Sequence, residues 1–170
     1  MLFKIGNNKF SAMIRKFLLY FFIIFFSAFS AIPIRFFSGM TLFPNIAAIL
    51  IFYFMARDEE YLSYFAIFIF GFLFDIFNNI PLGLTSLVWL FSVKFISFVR
   101  MHLYTLDIFT VSLRDFAIFD FLNALLQWIL FSLLYKVPYP PLNSVVQFFL
   151  NIIFFGLLYR ILKRIYKWFE

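Results

Sequence analysis

The 170-residue chain contains no cysteine. Disulfides, thiolate zinc sites, iron–sulfur clusters and a thiol nucleophile are therefore excluded. Its one histidine, His102, cannot form a metal site by itself. Glycine is scarce, with five residues, and no glycine-rich phosphate cradle can be assembled from them. Neither a Gly-x-Ser-x-Gly elbow nor a His-Glu-x-x-His pair is present. Charged residues make up 13% of the chain, against roughly 25% in an ordinary soluble domain. These shortages argue against acid–base chemistry on a soluble substrate, so the chain is expected not to be an enzyme and to carry no cofactor. What remains is apolar: 65% of residues are hydrophobic and the mean hydropathy is +1.01. A soluble chain of this size has too much surface to hide so much apolar area. A lipid bilayer is the solvent that suits it.

A membrane-spanning helix needs about 20 residues. Six would use about 120 and leave about 50 for two tails and five loops, with no room for a soluble domain. The apolar runs divide accordingly, at residues 17–34, 40–56, 61–77, 82–99, 116–135 and 142–162. They are separated by recognisable breakers. Arg57-Asp58-Glu59-Glu60 ends the second run, and Asn78-Asn79-Ile80-Pro81-Leu82-Gly83 reads as a tight turn after the third. A more polar segment, Arg100 to Asp115, precedes the fifth. Pro138, Pro140 and Pro141 forbid a helix between the fifth and sixth. The runs are continuously apolar and about twice the length of the alternating strands of a membrane barrel, so helices are expected. The fold class is therefore an all-α integral membrane protein, a single polytopic domain over residues 1–170. Most of the 32 Phe residues read as lipid-facing or packing residues.

Lys and Arg set the orientation. With the N-terminus in the cytoplasm, twelve of the 14 basic residues fall on the inner side, and only Arg35 and Lys136 fall outside. Both termini are then cytoplasmic. The net charge of +6 is explained by topology rather than by nucleic acid. A cleavable signal ending near Ser27-Ala28-Phe29-Ser30-Ala31 is the competing reading of the first run, which is longer than a usual signal core.

Charges inside spans are costly and are the first place to look for function. Lys94 and Asp120 each lie roughly 6–8 Å from the inner ends of their spans. They either form an ion pair, or Lys94 snorkels to the inner surface while Asp120 meets water. Asp115, beside Arg114, is suited to a helix N-terminus. His102 falls in the inner loop and is expected to be solvated. Asp75 lies roughly 20 Å from the inner side. It either joins a polar cluster with Asn45, Asn78, Asn79, Gln147 and Asn151, or ends its helix near outer water. Gly71 and Asp75 are four apart and share a helical face. That face either docks a partner's span through close approach or packs within the chain.

The most distinctive stretch is Gly71-Phe72-Leu73-Phe74-Asp75-Ile76-Phe77-Asn78-Asn79-Ile80-Pro81-Leu82-Gly83. It resembles the G-x-x-x-D-x-x-x-x-x-P-L-G signature of the MreD family of bacterial rod shape-determining membrane proteins. Pro44-Asn45, followed by an apolar helix with Tyr53 and a charged turn led by Arg57, is similar to that family's second span, and the length and basic tails agree. The resemblance implies a non-catalytic component of the cell elongation machinery in the bacterial cytoplasmic membrane. Implied partners are an MreC-like bitopic protein, an MreB-like filament and peptidoglycan synthases. The implied fold is similar to the six-helix substrate-binding subunits of energy-coupling-factor transporters. That similarity supplies the alternative, a subunit that binds a vitamin-type small molecule. Such a protein needs an outward pocket of convergent polar and Trp groups, for which Asp75, Asn45 and Trp128 or Trp89 are the candidates. The basic tail, Arg160 to Lys167, would favour an anionic leaflet by about 1 kcal/mol per charge or meet a cytoplasmic filament.

Overall fold

A computed structural model of the chain describes residues 2–30, 35–36, 40–41, 44–56, 62–102, 109–136 and 141–169. Among the described residues it is all-helical apart from one two-residue strand pair. The elements are α1 (Leu2–Phe29), β1 (Arg35–Phe36), β2 (Met40–Thr41), α2 (Ile46–Met55), α3 (Tyr64–Asn78), α4 (Leu84–His102), α5 (Phe109–Tyr135) and α6 (Pro141–Phe169). β1 and β2 pair antiparallel, with Arg35 opposite Thr41 and Phe36 opposite Met40.

The helix starts follow local chemistry. Asn45 caps α2 by accepting the Ala48 N–H at 3.0 Å, and Ser63 caps α3 by accepting the Ala66 N–H at 3.2 Å. A polar side chain before the first turn meets one of the N–H groups a helix leaves without a partner. The second apolar run, expected to be helical from residue 40, becomes helix only at Ile46. Met40 and Thr41 pair with β1 instead, and Pro44-Asn45 sets the start of the helix. At the other end of the chain α5 begins at Phe109, well before the expected residue 116. Asp115 is therefore inside the helix rather than at its N-terminus, with an Oδ1 that accepts from Arg114 at 3.0 Å. His102 closes α4 instead of lying in a loop. The charged turn after α2, the run Pro138 to Pro140 and residues 103–108 of the inner polar segment fall outside the described residues.

Helices α1, α3, α4, α5 and α6 pack as successive neighbours, and α2 fills the space between them, touching α1, α4, α5 and α6. Every α2 residue from Ala47 to Met55 is buried. The centre is aromatic. Phe116 and Phe155 stack with ring centroids 4.3 Å apart, and Phe52 of α2 meets Phe116 edge-on at 5.3 Å and Phe119 at 5.2 Å. Leu19 and Ile23 of α1 belong to the same core.

The distribution of polarity differs from a soluble protein's, with polar side chains buried beside the apolar core and large apolar ones exposed. Ser27, Asp75, Ser86, Ser92, Asp120, Asn123 and Asn151 are buried, whereas Phe17, Phe65, Phe98, Leu133 and Leu157 are exposed by more than 60% each. Large apolar side chains outside and polar ones inside suit a hydrocarbon surround. Two stretches, Ser112–Tyr135 in α5 and Leu142–Ile165 in α6, are long and apolar enough to cross a membrane.

Candidate functional site

Two polar centres lie in this interior. The first is the corner joining α3 to α4. α3 ends because Asn79 adopts a left-handed backbone (φ 53), and the N–H groups of Asn79 and Ile80 both return to the Asp75 carbonyl. This closes the carbonyls of the last turn. Pro81 cannot continue a helix, and its carbonyl accepts the Leu84 N–H at 3.1 Å. Gly83 sits at φ +88, a conformation that only glycine adopts without strain. The chain then enters α4 under the Asp75 side chain. Both carboxylate oxygens accept the Thr85 N–H at 3.2 Å, and the amides of Gly83 and Leu84 face the same group. Asp75 is fully buried. It is a cap supplied to α4 by the preceding helix. One turn below, a Cβ on Gly71 would stand 2.5 Å from the Ser86 Cα, and Ser86 Oγ donates to the Phe68 carbonyl at 2.9 Å. Gly71 is what lets the two backbones touch.

The signature residues are thus brought together, but Gly71 and Asp75 face inward, against α4. Leu82 is the signature residue left exposed, at 64%. Asp75 draws its partners from the start of α4, and the amides expected around it gather elsewhere.

That second centre is a polar cavity of about 430 Å³. It lies where the ends of α1 and α3 meet the starts of α2 and α6, with α5 along one side. Ser30, Asn45, Asn78, Asn79, Asn143 and Gln147 line it from the helix ends, and Asp120, Asn123, Gln127 and Trp128 line it from α5. Asn151 of α6 ties it together. Its Nδ2 donates to Asp120 Oδ1 at 2.9 Å, and its Oδ1 accepts the Asn45 backbone N–H at 2.8 Å. Gln147 Nε2 reaches the same Oδ1 at 3.4 Å. Asn123 is held by the Phe119 carbonyl at 2.8 Å and by Ser92 Oγ at 3.4 Å. Asn78 Nδ2 donates to the Phe74 carbonyl at 2.9 Å and to Ser30 Oγ at 3.2 Å.

Asp120 is 4% exposed, and its second oxygen, Oδ2, has no hydrogen-bond partner. Lys94 does not supply one. The Lys94 side chain is exposed and lines a separate apolar groove with Leu87, Phe91, Leu126 and Leu130. Of the two readings of this pair, the ion pair is not formed: Lys94 is exposed, whereas Asp120 is buried in the cavity wall. Among the described residues no three acidic or imidazole groups converge to hold a metal ion. Asp120 stands as a single carboxylate among amides.

Asn45, Asn78, Asn79, Gln147 and Asn151, which depth alone groups with Asp75 in one of its two readings, line the cavity together with Asp120. Asn123, Gln127, Asn143 and Ser144 were not singled out. Their spacing carried the signal: Asp120, Asn123 and Gln127 fall at i, i+3 and i+7 on α5, and Asn143, Gln147 and Asn151 fall at i, i+4 and i+8 on α6. Each set is one helical stripe. Trp89 packs against Phe74 inside the core and takes no part in the cavity, whereas Trp128 stands on its rim. Comparison with family models, with curated proteins and with solved structures gives no match to this chain.

Proposed function

We propose that this chain is a six-span protein of the bacterial cytoplasmic membrane, with both termini inside, that acts without catalysis in the machinery elongating rod-shaped cells. In this reading it scaffolds peptidoglycan synthesis beside an MreC-like bitopic protein, an MreB-like filament and the synthases. The supporting observation is that Gly71, Asp75, Pro81 and Gly83, the residues carrying the resemblance to MreD proteins, each have a distinct part in one corner. A corner fixed in this way holds the outer ends of α3 and α4 rigid. It presents Leu82 and Leu87, 64% and 62% exposed, to a neighbouring span. Since lipid is as apolar as a partner helix, such a span would be selected by shape. The twelve-to-two charge split supports the orientation. Depleting the protein in its native bacterium and imaging the cells tests the role: rods should round up. Cells that keep their shape overturn it.

A second reading is favoured by a specific observation. The cavity combines converging amides, a buried carboxylate and Trp128 at one end of the helices. That is the arrangement of a small-molecule site, and it supports a substrate-binding subunit of the energy-coupling-factor type. Depleted cells of normal shape that acquire a vitamin requirement would establish this reading over the first.

A further inference from the structure

The cavity borders a groove on the surface of the helices. Ala124, Trp128, Ser144 and Phe148, which line the cavity, also line this apolar groove of about 340 Å³ on the outer face of α5 and α6. The groove continues over Phe121 and Val145, which are 55% and 49% exposed. A polar chamber and an apolar channel thus share one wall.

Resting on the small-molecule reading, we propose that the site takes an amphiphile: an uncharged head rich in hydroxyl and amide groups in the cavity, with its apolar chain leaving through the α5–α6 groove toward the lipid.

The head is specified by the lining. Side-chain amides both donate and accept, which matches hydroxyl and amide groups that do the same. Asp120 Oδ2 is buried, unpartnered and in need of a donor, and Asn143 Oδ1 is a second acceptor without a partner. A buried acceptor left unsatisfied is costly, so a hydroxyl or amide N–H placed there gains more than it would in water. A phosphate or carboxylate head would bring a negative charge into a cavity in which none of the described lining residues is cationic. A cationic head would use Asp120 but leave the many amides around it idle. The chain is specified by the groove: its described lining is apolar apart from Ser144, and it lies between two helices long enough to cross a membrane. Trp128 stands at the junction, with an apolar ring for the chain and an N–H for the head.

The test uses the full chain in phosphatidylcholine nanodiscs with radiolabelled dodecyl glucoside, against empty nanodiscs. The expected result is saturable binding above the empty-disc background. Asp120→Asn should weaken it about 10-fold, because it replaces the unpartnered oxygen with an NH2 group that cannot accept and so removes about one hydrogen bond. Gln127→Leu, a change on the partly exposed wall, should weaken it as well and guards against a folding defect in the first variant. Val145→Trp, which fills the groove, should reduce dodecyl glucoside binding and leave methyl glucoside binding unchanged. Three results would overturn the proposal. If Val145→Trp binds dodecyl glucoside like the unmodified chain, the groove holds no alkyl chain, and the small-molecule reading survives without it. Dodecyl phosphate or dodecylammonium competing 10-fold better than dodecyl glucoside would show that the head class is wrong. Association that does not saturate and ignores Asp120→Asn would be partition into lipid and would remove the amphiphile, while the small-molecule reading is decided separately by the vitamin requirement of depleted cells.

Discussion

Replacing Asp75 tests whether its carboxylate is a structural cap or a group held for a partner. The first N–H groups of any helix have no partner within it. At the start of α4 these groups lie in the interior, where Thr85 is fully buried and no water competes. The Asp75 carboxylate meets the Thr85 N–H through both oxygens at 3.2 Å. Truncation to Ala removes the acceptor and leaves the donors in place. A buried unsatisfied group costs about 1–3 kcal/mol, and loss of a cap about 0.5–2 kcal/mol. The two overlap, so Asp75→Ala should destabilise the protein by about 3 kcal/mol, or roughly 150-fold in the unfolding constant. Asp75→Asn retains one oxygen at the same place and should cost about 1 kcal/mol. The measurement is reversible unfolding in mixed micelles, with SDS as denaturant and helix content as the readout. If Asp75→Ala falls within about 0.5 kcal/mol of the unmodified chain, the cap is not what the carboxylate is for. Equal losses for Ala and Asn would mean that its charge, rather than its position as acceptor, carries the effect.

Gly71→Ala should cost about 2 kcal/mol, because its Cβ would stand 2.5 Å from backbone that cannot rotate away. Gly83→Ala, strained at φ +88 but with open space around it, should cost about 1 kcal/mol; the reverse order in the same unfolding assay would refute the close-approach account. Lys94→Ala and Asp120→Asn should be additive within about 0.5 kcal/mol, and a larger coupling in the double-mutant cycle would mean that the two side chains meet after all. Phe155→Ala should lose about 3–5 kcal/mol, while Leu157→Ala, 66% exposed on the same helix, should stay within about 0.5 kcal/mol. Comparable losses at both positions would contradict the separation of an aromatic centre from an apolar exterior.

The helices were legible because the chain punctuates them strongly. Asn78 to Gly83 marks a turn by composition alone, and the turn is there. The limits of α2 were less legible, since no charge separates Met40 and Thr41 from the apolar helix that follows, and pairing with Arg35 and Phe36 removes them from it. α5 begins ahead of its expected start because Arg114 and Asp115 pair with each other and do not interrupt a helix. For the sites, distance along an axis was a poor guide and direction around it was the missing quantity. Lys94 and Asp120 match in depth and diverge in azimuth. Asp75 was correctly marked as unusual, but its partner is ten residues ahead in the chain, on backbone that carries no side-chain signal. The cavity belongs to two stripes of amides. Each is modest by itself, and they matter because α5 and α6 turn them toward each other.

The central position of α2 bears on how the protein is made. Its seat is built from elements before and after it in the chain. Phe52 rests on Phe116 and Phe155, and the Asn45 N–H ends on Asn151, 106 residues later. While the ribosome is still completing the C-terminal third, a finished α2 has no permanent neighbours on that side. Synthesis therefore cannot deliver this fold in strict N-to-C order. The second helix must be sheltered, by the insertion machinery or by lipid, until the sixth arrives to enclose it. A nascent chain stalled before α6 should leave α2 more open to quality-control proteases than the finished fold does.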